Sequence, residues 1–193
     1  MVDRRAAVRA LLADRGGLIT VAGLGGTSWD VAAAGDCDLD LPLWGSMGAA
    51  AMVGLGIALA QPERPVLVVT GDGEQLMALG ALATLAAARP ANLTIAVLDN
   101  ERYGETGAQP THTGLGTDLA AVAAACGIAD SRTIRDLQSV EELRDAVHAL
   151  DGTRFAAIKI SPDRPPLVLP PRDGPLLARR LRGALGLNEG GWK

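Results

Sequence analysis

Short strand-like runs recur along the chain at residues 18–22, 41–44, 66–70, 93–98, 131–134 and 155–160, separated by longer stretches of helical spacing. Runs of this length, mostly rich in Val, Ile and Leu and bounded by Gly, Pro, Asp or Asn, read as buried strands. Val8, Leu11 and Leu12 share one face of a first helix that stops at Gly16-Gly17. A second helix is expected over about 28–34, and a third, rich in Ala and Gly, runs to about residue 60. Leu76, Leu79, Leu82 and Leu85 recur every three residues, with Met77 and Ala81 widening the stripe, in a helix over about 74–88 that Arg89-Pro90 closes. Thr117 is expected to cap a helix over 117–126, and Ser139 with Glu142 reads as a capping box for one running to about 150. Strands alternating with helices predict an α/β fold, a six-stranded parallel sheet with helices on both faces.

In such sheets ligands bind beyond the carboxyl ends of the strands, near a topological switch point. The unusual loops all follow strands. Gly23–Ser28 is a glycine loop between strand and helix; it reads as a phosphate cradle or equally as a helix cap with a tight turn. Gly45-Ser46-Met47-Gly48 follows the second strand, and a lone Met such as Met47 is ordinarily a core residue. Gly71-Asp72-Gly73 follows the third strand, and Asp99-Asn100 ends the fourth. A carboxylate and an amide oxygen at neighbouring strand tips suit a hard cation such as Mg²⁺. Glycines beside Asp72 let backbone approach a ligand, and the helix N-terminus that follows attracts phosphate. The segment 99–116 is long for a compact domain, and its Tyr103, Glu105, Thr106, Gln109, His112 and Thr113 point to function.

Composition narrows the picture. The 193 residues are 48% hydrophobic, only 3% aromatic and carry a net charge of −4, which suits one domain with close helix–sheet packing and argues against nucleic acid as partner. No run approaches the roughly 20 apolar residues that span a bilayer. Cys37 and Cys126 lack metal-ligand spacing and fit reduced thiols in a cytoplasmic protein. Asp3 and Asp14 in the Arg-rich N-terminal segment speak against a targeting peptide. Gly23-Leu24-Gly25-Gly26 lacks the full dinucleotide-binding fingerprint. The proline-rich stretch 162–175 must be largely extended, a short basic helix is expected over 175–185, and the last residues to Lys193 are expected to be loose.

Gly71-Asp72-Gly73, followed after 26 residues by Asn100, resembles the thiamin diphosphate motif, with Asp99 standing where the first residue of an Asn pair is usual. The resemblance covers about residues 18–160 and is to the diphosphate-binding (PP) domain of those enzymes. It implies a domain over 1–161 followed by a tail over 162–193. It implies that Asp72 and Asn100, with the backbone carbonyl of Arg102, hold Mg²⁺. Gly26, Thr27 and Ser28 would contact the diphosphate, as would Gly71, Gly73 and Glu74. Gly45, Ser46 and Met47 would hold the aminopyrimidine, Met47 as the wedge beneath it. The segments 25–30, 44–48 and 98–114 further resemble the β subunit of sulfopyruvate decarboxylase and phosphonopyruvate decarboxylase. Tyr103, Gly104, Glu105 and Thr106 then belong to the cofactor loop. His112 and Glu105 are the candidate catalytic side chains, with His112 and Arg102 candidates for the second acid group of a small 2-oxoacid. The glutamate that activates the cofactor belongs to a pyrimidine-binding domain, so the resemblance implies an α-type partner subunit and a heterotetramer or larger. Acyloin- or acetolactate-type carboligation and a non-catalytic PP-like partner are the alternatives.

Overall fold

In the computed structural model, which describes residues 1–187, six strands form one parallel sheet in the order β2-β1-β3-β4-β8-β7. These are β1 (Ile19–Ala22), β2 (Asp40–Pro42), β3 (Val66–Gly71), β4 (Leu93–Asp99), β7 (Asp130–Ile134) and β8 (Arg154–Lys159). A small antiparallel hairpin, β5 (Arg102–Tyr103) with β6 (Gln109–Pro110), lies inside the long segment after β4. The helices are α1 (Arg4–Leu11), α2 (Gly26–Ala33), α3 (Ala50–Ala60), α4 (Asp72–Met77), α5 (Leu79–Ala88), α6 (Leu119–Cys126), α7 (Leu137–Val147) and α8 (Gly174–Ala184). The expectation of loose final residues lies outside the described residues.

Alternation along each strand splits the core into two layers. Ile19, Val21, Val66, Val68, Leu93, Ile95, Val97, Phe155 and Ala157 meet α3, α5, α6 and Leu181 of α8. Leu67, Val69, Ala96, Leu98, Ala156 and Ile158 meet α1, α2 and α7 on the other face. Burial on both faces is why the central strands read as unbroken apolar runs. Small residues set the spacing of α3. A Cβ on Gly54 would collide with Cγ2 of Val68, whereas one on Gly56 would meet nothing. Gly54→Ala is therefore expected to destabilise the fold by about 1–3 kcal/mol in urea denaturation, despite the better helix propensity of Ala. Gly56→Ala, free of that collision, is expected to be neutral or to stabilise by up to about 1 kcal/mol in the same measurement.

Several helix boundaries differ from the sequence expectation. The helix expected over 74–88 is two helices, broken at Ala78, whose φ of −116° and ψ of 41° are not helical. Asp118, not Thr117, caps α6 by accepting the N–H groups of Ala120 and Ala121. Asp136, not Ser139, caps α7, and its carboxylate accepts the Ser139 N–H at 2.8 Å. In both cases a carboxylate, one residue after Thr117 and three before Ser139, takes the free amides, so the helix starts around it. Asp173 caps α8, which begins at Gly174.

The chain steps outward from β1 to the edge strand β2, then returns past β1 to β3. The crevice between the carboxyl ends of β1 and β3 is thus the switch point where loops diverge. Two terminal segments close over the same edge. Val2 bridges Ile160 just beyond β8, which starts α1 at the carboxyl edge of the sheet. The extended segment 162–173 crosses that edge: Arg164 donates to the Gly104 carbonyl at 2.9 Å, Arg5 to Pro166, and the Trp44 indole to the Pro171 carbonyl at 2.7 Å. Arg172 stacks 4.5 Å over the Trp44 ring. The strap and α8 lie on this chain's own surface.

Candidate functional site

Three loops meet at the switch point, and Glu74 ties them together. It is buried in the first turn of α4; its Oε2 accepts the Leu24 N–H at 3.0 Å and its Oε1 the Gly48 N–H at 3.2 Å. One carboxylate thereby fixes the loops after β1 and β2 to the helix after β3. Gly23 is needed because a Cβ there would strike the Glu74 carboxylate. Gly25 has a φ of 74°, which favours glycine, and opens α2 beside Glu105. Glu74→Ala would leave two amides without their charged acceptor. It is expected to cost about 2–4 kcal/mol in denaturant unfolding, with Glu74→Gln intermediate.

Asp72 stands at the tip of β3, 2% exposed. Its Oδ2 accepts the Thr111 hydroxyl at 2.5 Å. The Thr113 hydroxyl lies 3.2 Å from the same oxygen and 2.8 Å from Oδ1 of Asp99, and can donate to one of them at a time. The segment 99–116 is folded to deliver these hydroxyls: the hairpin turns it back, Thr111 N–H bonds the Glu101 carbonyl, and a 3₁₀ turn at His112–Leu115 fixes Thr113. Burial, reinforced by the nearby Asp99 carboxylate and opposed by the two hydroxyls, pushes Asp72 up to about 6.

Asp99, the departure from the usual Asn pair, has its own counter-ion. Lys159 sits opposite it in the β4–β8 register, with Nζ 2.7 Å from Asp99 Oδ2 and 2.9 Å from Glu101. Burial works against the Lys159 charge, but the two carboxylates outweigh it and hold its ammonium above the ordinary value. The extra carboxylate is thus neutralised within the fold.

A cavity of about 180 Å³ lies over this cluster and joins Gly26, Thr27, Met47, Gly71, Asp72, Gly73, Glu74, Asn100, Arg102, Tyr103, Gly104, Glu105 and Thr106. The structure therefore gathers most of the sequence-derived cofactor residues into one place. Asn100 Oδ1 accepts the Arg102 N–H at 3.0 Å, which fixes the side chain in a tight turn. The Tyr103 ring lies against Gly73, 2.7 Å from where a Cβ would stand. Met47 is 38% exposed on its loop, so it is not a core residue.

Other expected residues are placed elsewhere. Ser28 lines a separate cavity under the strap, and its hydroxyl donates to the Gly23 carbonyl at 2.6 Å; Thr27 donates to the same carbonyl at 2.8 Å. Both hydroxyls therefore brace the loop from within. Gly45 and Ser46 are exposed and outside the cavity lining. His112 faces a shallower neighbouring cavity with Met47, Gly73, Met77 and Tyr103, away from Arg102. Thr106 is engaged with Gln109 inside the hairpin turn.

Thr113, already marked by its place in the long segment, completes this edge together with Arg4, Lys159 and Thr111, which no local pattern singles out. Thr111 and Thr113 stand in the polar part of the long segment, and the strand register pairs Lys159 with Asp99. Arg4 comes to the site through the Val2 bridge. A second cavity of about 510 Å³ continues outward from the first and shares Arg4, Asn100, Arg102, Gly104 and Glu105 with it. Among the described residues no group of three or more His, Cys, Asp or Glu side chains is placed to hold a metal. No helix among them is long and apolar enough to cross a membrane.

A buried carboxylate and glycine loops at the switch point of a parallel sheet define a cofactor-binding α/β domain. The family described as thiamine pyrophosphate enzyme, C-terminal TPP binding domain, matches residues 37–160, and the chain belongs to it. It is 46% identical over 130 residues to a phosphonopyruvate decarboxylase of Streptomyces viridochromogenes, covering 66% of this chain and 32% of that protein. It is 38% identical over 162 residues to the sulfopyruvate decarboxylase subunit beta of Methanothermobacter thermautotrophicus, covering 84% of both. The chain thus spans about a third of the first relative and most of the second. Its fold matches that of benzoylformate decarboxylase from Polynucleobacter necessarius with a TM-score of 0.66 over 85% of this chain and 34% of that one, at 21% identity.

Proposed function

We propose that this chain is the thiamin diphosphate- and Mg²⁺-binding subunit of a two-subunit 2-oxoacid decarboxylase that acts on sulfopyruvate- or phosphonopyruvate-like substrates in the cytoplasm. The observation that carries the reading is the cavity joining Asp72 and Asn100 to the loop at Gly26. The relatives' names supply the substrate class.

The residues present fit the cofactor. Gly25 and Gly26 open α2 with backbone N–H groups free for an anion. Asp72, Asn100 and the Arg102 carbonyl form an all-oxygen donor set suited to Mg²⁺. One negative charge among these donors is weak for a divalent ion, so metal and diphosphate are expected to bind together. A cation beside Asp72 would also relieve the burial that raises its carboxyl. Thiamin diphosphate supplies the electron sink for loss of CO₂. On this chain, Met47 and Tyr103 would shape the apolar part of the cavity around the cofactor. Arg102 and His112 remain candidates for the substrate's second acid group and Glu105 for the cofactor loop, with residues 1–161 as the binding domain and 162–193 as a tail.

An α-type partner would supply the pyrimidine-binding half and its activating glutamate. The solvent-facing side of α3 supports a partner surface: Met52 is 41% and Leu59 57% exposed, with Met47 and Met77 also outward. A permanent interface of this kind buries more than about 2,000 Å². The assembly is then an α₂β₂ heterotetramer or larger. Calorimetric titration of the chain with thiamin diphosphate, with and without Mg²⁺, tests the binding; heat only when both are present supports it, and none under either condition overturns it.

A further inference from the structure

We propose that Arg4 is a diphosphate-binding residue that sets the preference for thiamin diphosphate over the monophosphate. The inference rests on the reading of the cavity as a thiamin diphosphate site. Arg4 lines that cavity together with Gly26, Thr27, Asp72 and Asn100. Its guanidinium lies against the first residue of α2, since a Cβ on Gly26 would collide with Nη2. This is where the diphosphate loop presents its free backbone N–H groups.

The placement is built rather than incidental. Asp30, one turn along α2 from Gly26, holds Arg4 Nε at 2.6 Å through Oδ2. Its other oxygen takes Arg5 Nε at 3.1 Å, and Arg5 in turn reaches the Pro166 carbonyl on the strap. The Asp30 side chain is 1% exposed and that of Arg4 only 12%. Among the described residues, the hydrogen bond to Asp30 engages only Nε of Arg4, leaving the four N–H groups on its terminal nitrogens for an acceptor in the cavity.

Electrostatics argues the same way. Asp30 is a single carboxylate shared by Arg4 and Arg5, so beside the partial positive charge of the α2 N-terminus the cluster keeps a net positive charge that favours a further anion. A diphosphate carries more charge than one Mg²⁺ and the Asp72 site neutralise, and Arg4 supplies a fixed, always-protonated cation for the remainder. Arg102, the other arginine on the cavity, is exposed and reaches the Ala108 carbonyl at 3.4 Å, so it is not held over Gly26. Arg4 is therefore the cation pre-positioned on the loop.

The test uses calorimetric titration of the full chain with Mg²⁺ plus thiamin diphosphate, thiamin monophosphate or inorganic pyrophosphate. Arg4→Gln is expected to weaken the two diphosphates roughly 10- to 100-fold, as for loss of charge-assisted hydrogen bonds, and the monophosphate by less than about 3-fold. Arg4→Lys should recover part of the loss, since it keeps the charge but not the fork. The double variant Arg4→Gln with Asp30→Asn removes the buried carboxylate as well, and its thermal unfolding shows whether a loss is local. Wild type that binds diphosphate while Arg4→Gln binds it equally well overturns the role of Arg4 and leaves the cofactor site standing. Equal losses for monophosphate and diphosphate overturn the selectivity. Wild type that binds no diphosphate overturns the cofactor reading itself and this proposal with it.

Discussion

Asp72→Ala is expected to abolish Mg²⁺-dependent binding of thiamin diphosphate, a loss of at least about 100-fold, on the scale of removing one partner from a buried charge pair. Asp72 is the carboxylate in the donor set proposed for the metal, and Asn100 and a backbone carbonyl alone leave the ion without a protein charge. Because the metal and the diphosphate each complete the other's site, the variant should lose both together. Titration of the chain with cofactor at fixed Mg²⁺, and with Mg²⁺ at fixed cofactor, checks this; retained affinity in either direction would exclude Asp72 as the metal ligand. The metal-free fold should not suffer in parallel. Asp72 has a carboxyl raised to about 6 by burial, above its unfolded value of 3.8. The folded state then holds the proton more tightly, so this group's contribution to stability falls as pH rises from about 4 to 6 and stays unfavourable at pH 7. Asp72→Asn removes that penalty while keeping the shape. It should therefore unfold at the same or higher denaturant concentration at pH 7 without metal, while still losing the cofactor. Function opposing stability at one buried residue is the signature expected of a ligand site.

The strands and the loops that follow them are legible in the sequence because both depend on short-range chemistry. Strands buried on both faces are apolar at most positions, so β3, β4 and β8 stand out. Gly71-Asp72-Gly73 and Asp99-Asn100 are visible because a strand tip is the natural place for such residues. Harder to read is the choice between competing neighbours. Thr117 and Asp118 can both cap a helix, as can Asp136 and Ser139, and backbone geometry settles the matter in favour of the carboxylates. The break at Ala78 has no local signal, since Ala is the strongest helix former; it separates the turn that carries Asp72 from the helix that packs on the sheet. Arg4 and Lys159 are invisible for another reason. Each meets its partner only through tertiary register, Lys159 across the β4–β8 pairing and Arg4 through the Val2–Ile160 bridge.

The second large effect concerns activity. The chain by itself is expected to show no decarboxylase turnover, and to gain it when mixed with a pyrimidine-domain partner. The glutamates near the cavity are occupied or misplaced for activating a pyrimidine. Glu74 binds two loop amides, Glu101 pairs with Lys159, and Glu105 sits against Gly25 on the diphosphate side. Each oxygen of Glu74 already holds a backbone N–H of a different loop, which fixes the carboxylate as a brace between those loops. The activating group is therefore expected from the proposed partner rather than from these three glutamates. Its approach is most natural along Met47, Met52 and Met77, where apolar side chains face outward beside the cavity. Mixing the purified chain with candidate partners and following aldehyde formation from pyruvate, sulfopyruvate and phosphonopyruvate tests this directly. Turnover that rises with partner concentration and saturates at a fixed stoichiometry is the expected result. Met52→Asp should shift that saturation to higher partner concentration, without altering Mg²⁺-dependent cofactor heat in the chain alone. Full turnover by the chain without a partner would show that a group on this polypeptide activates the cofactor.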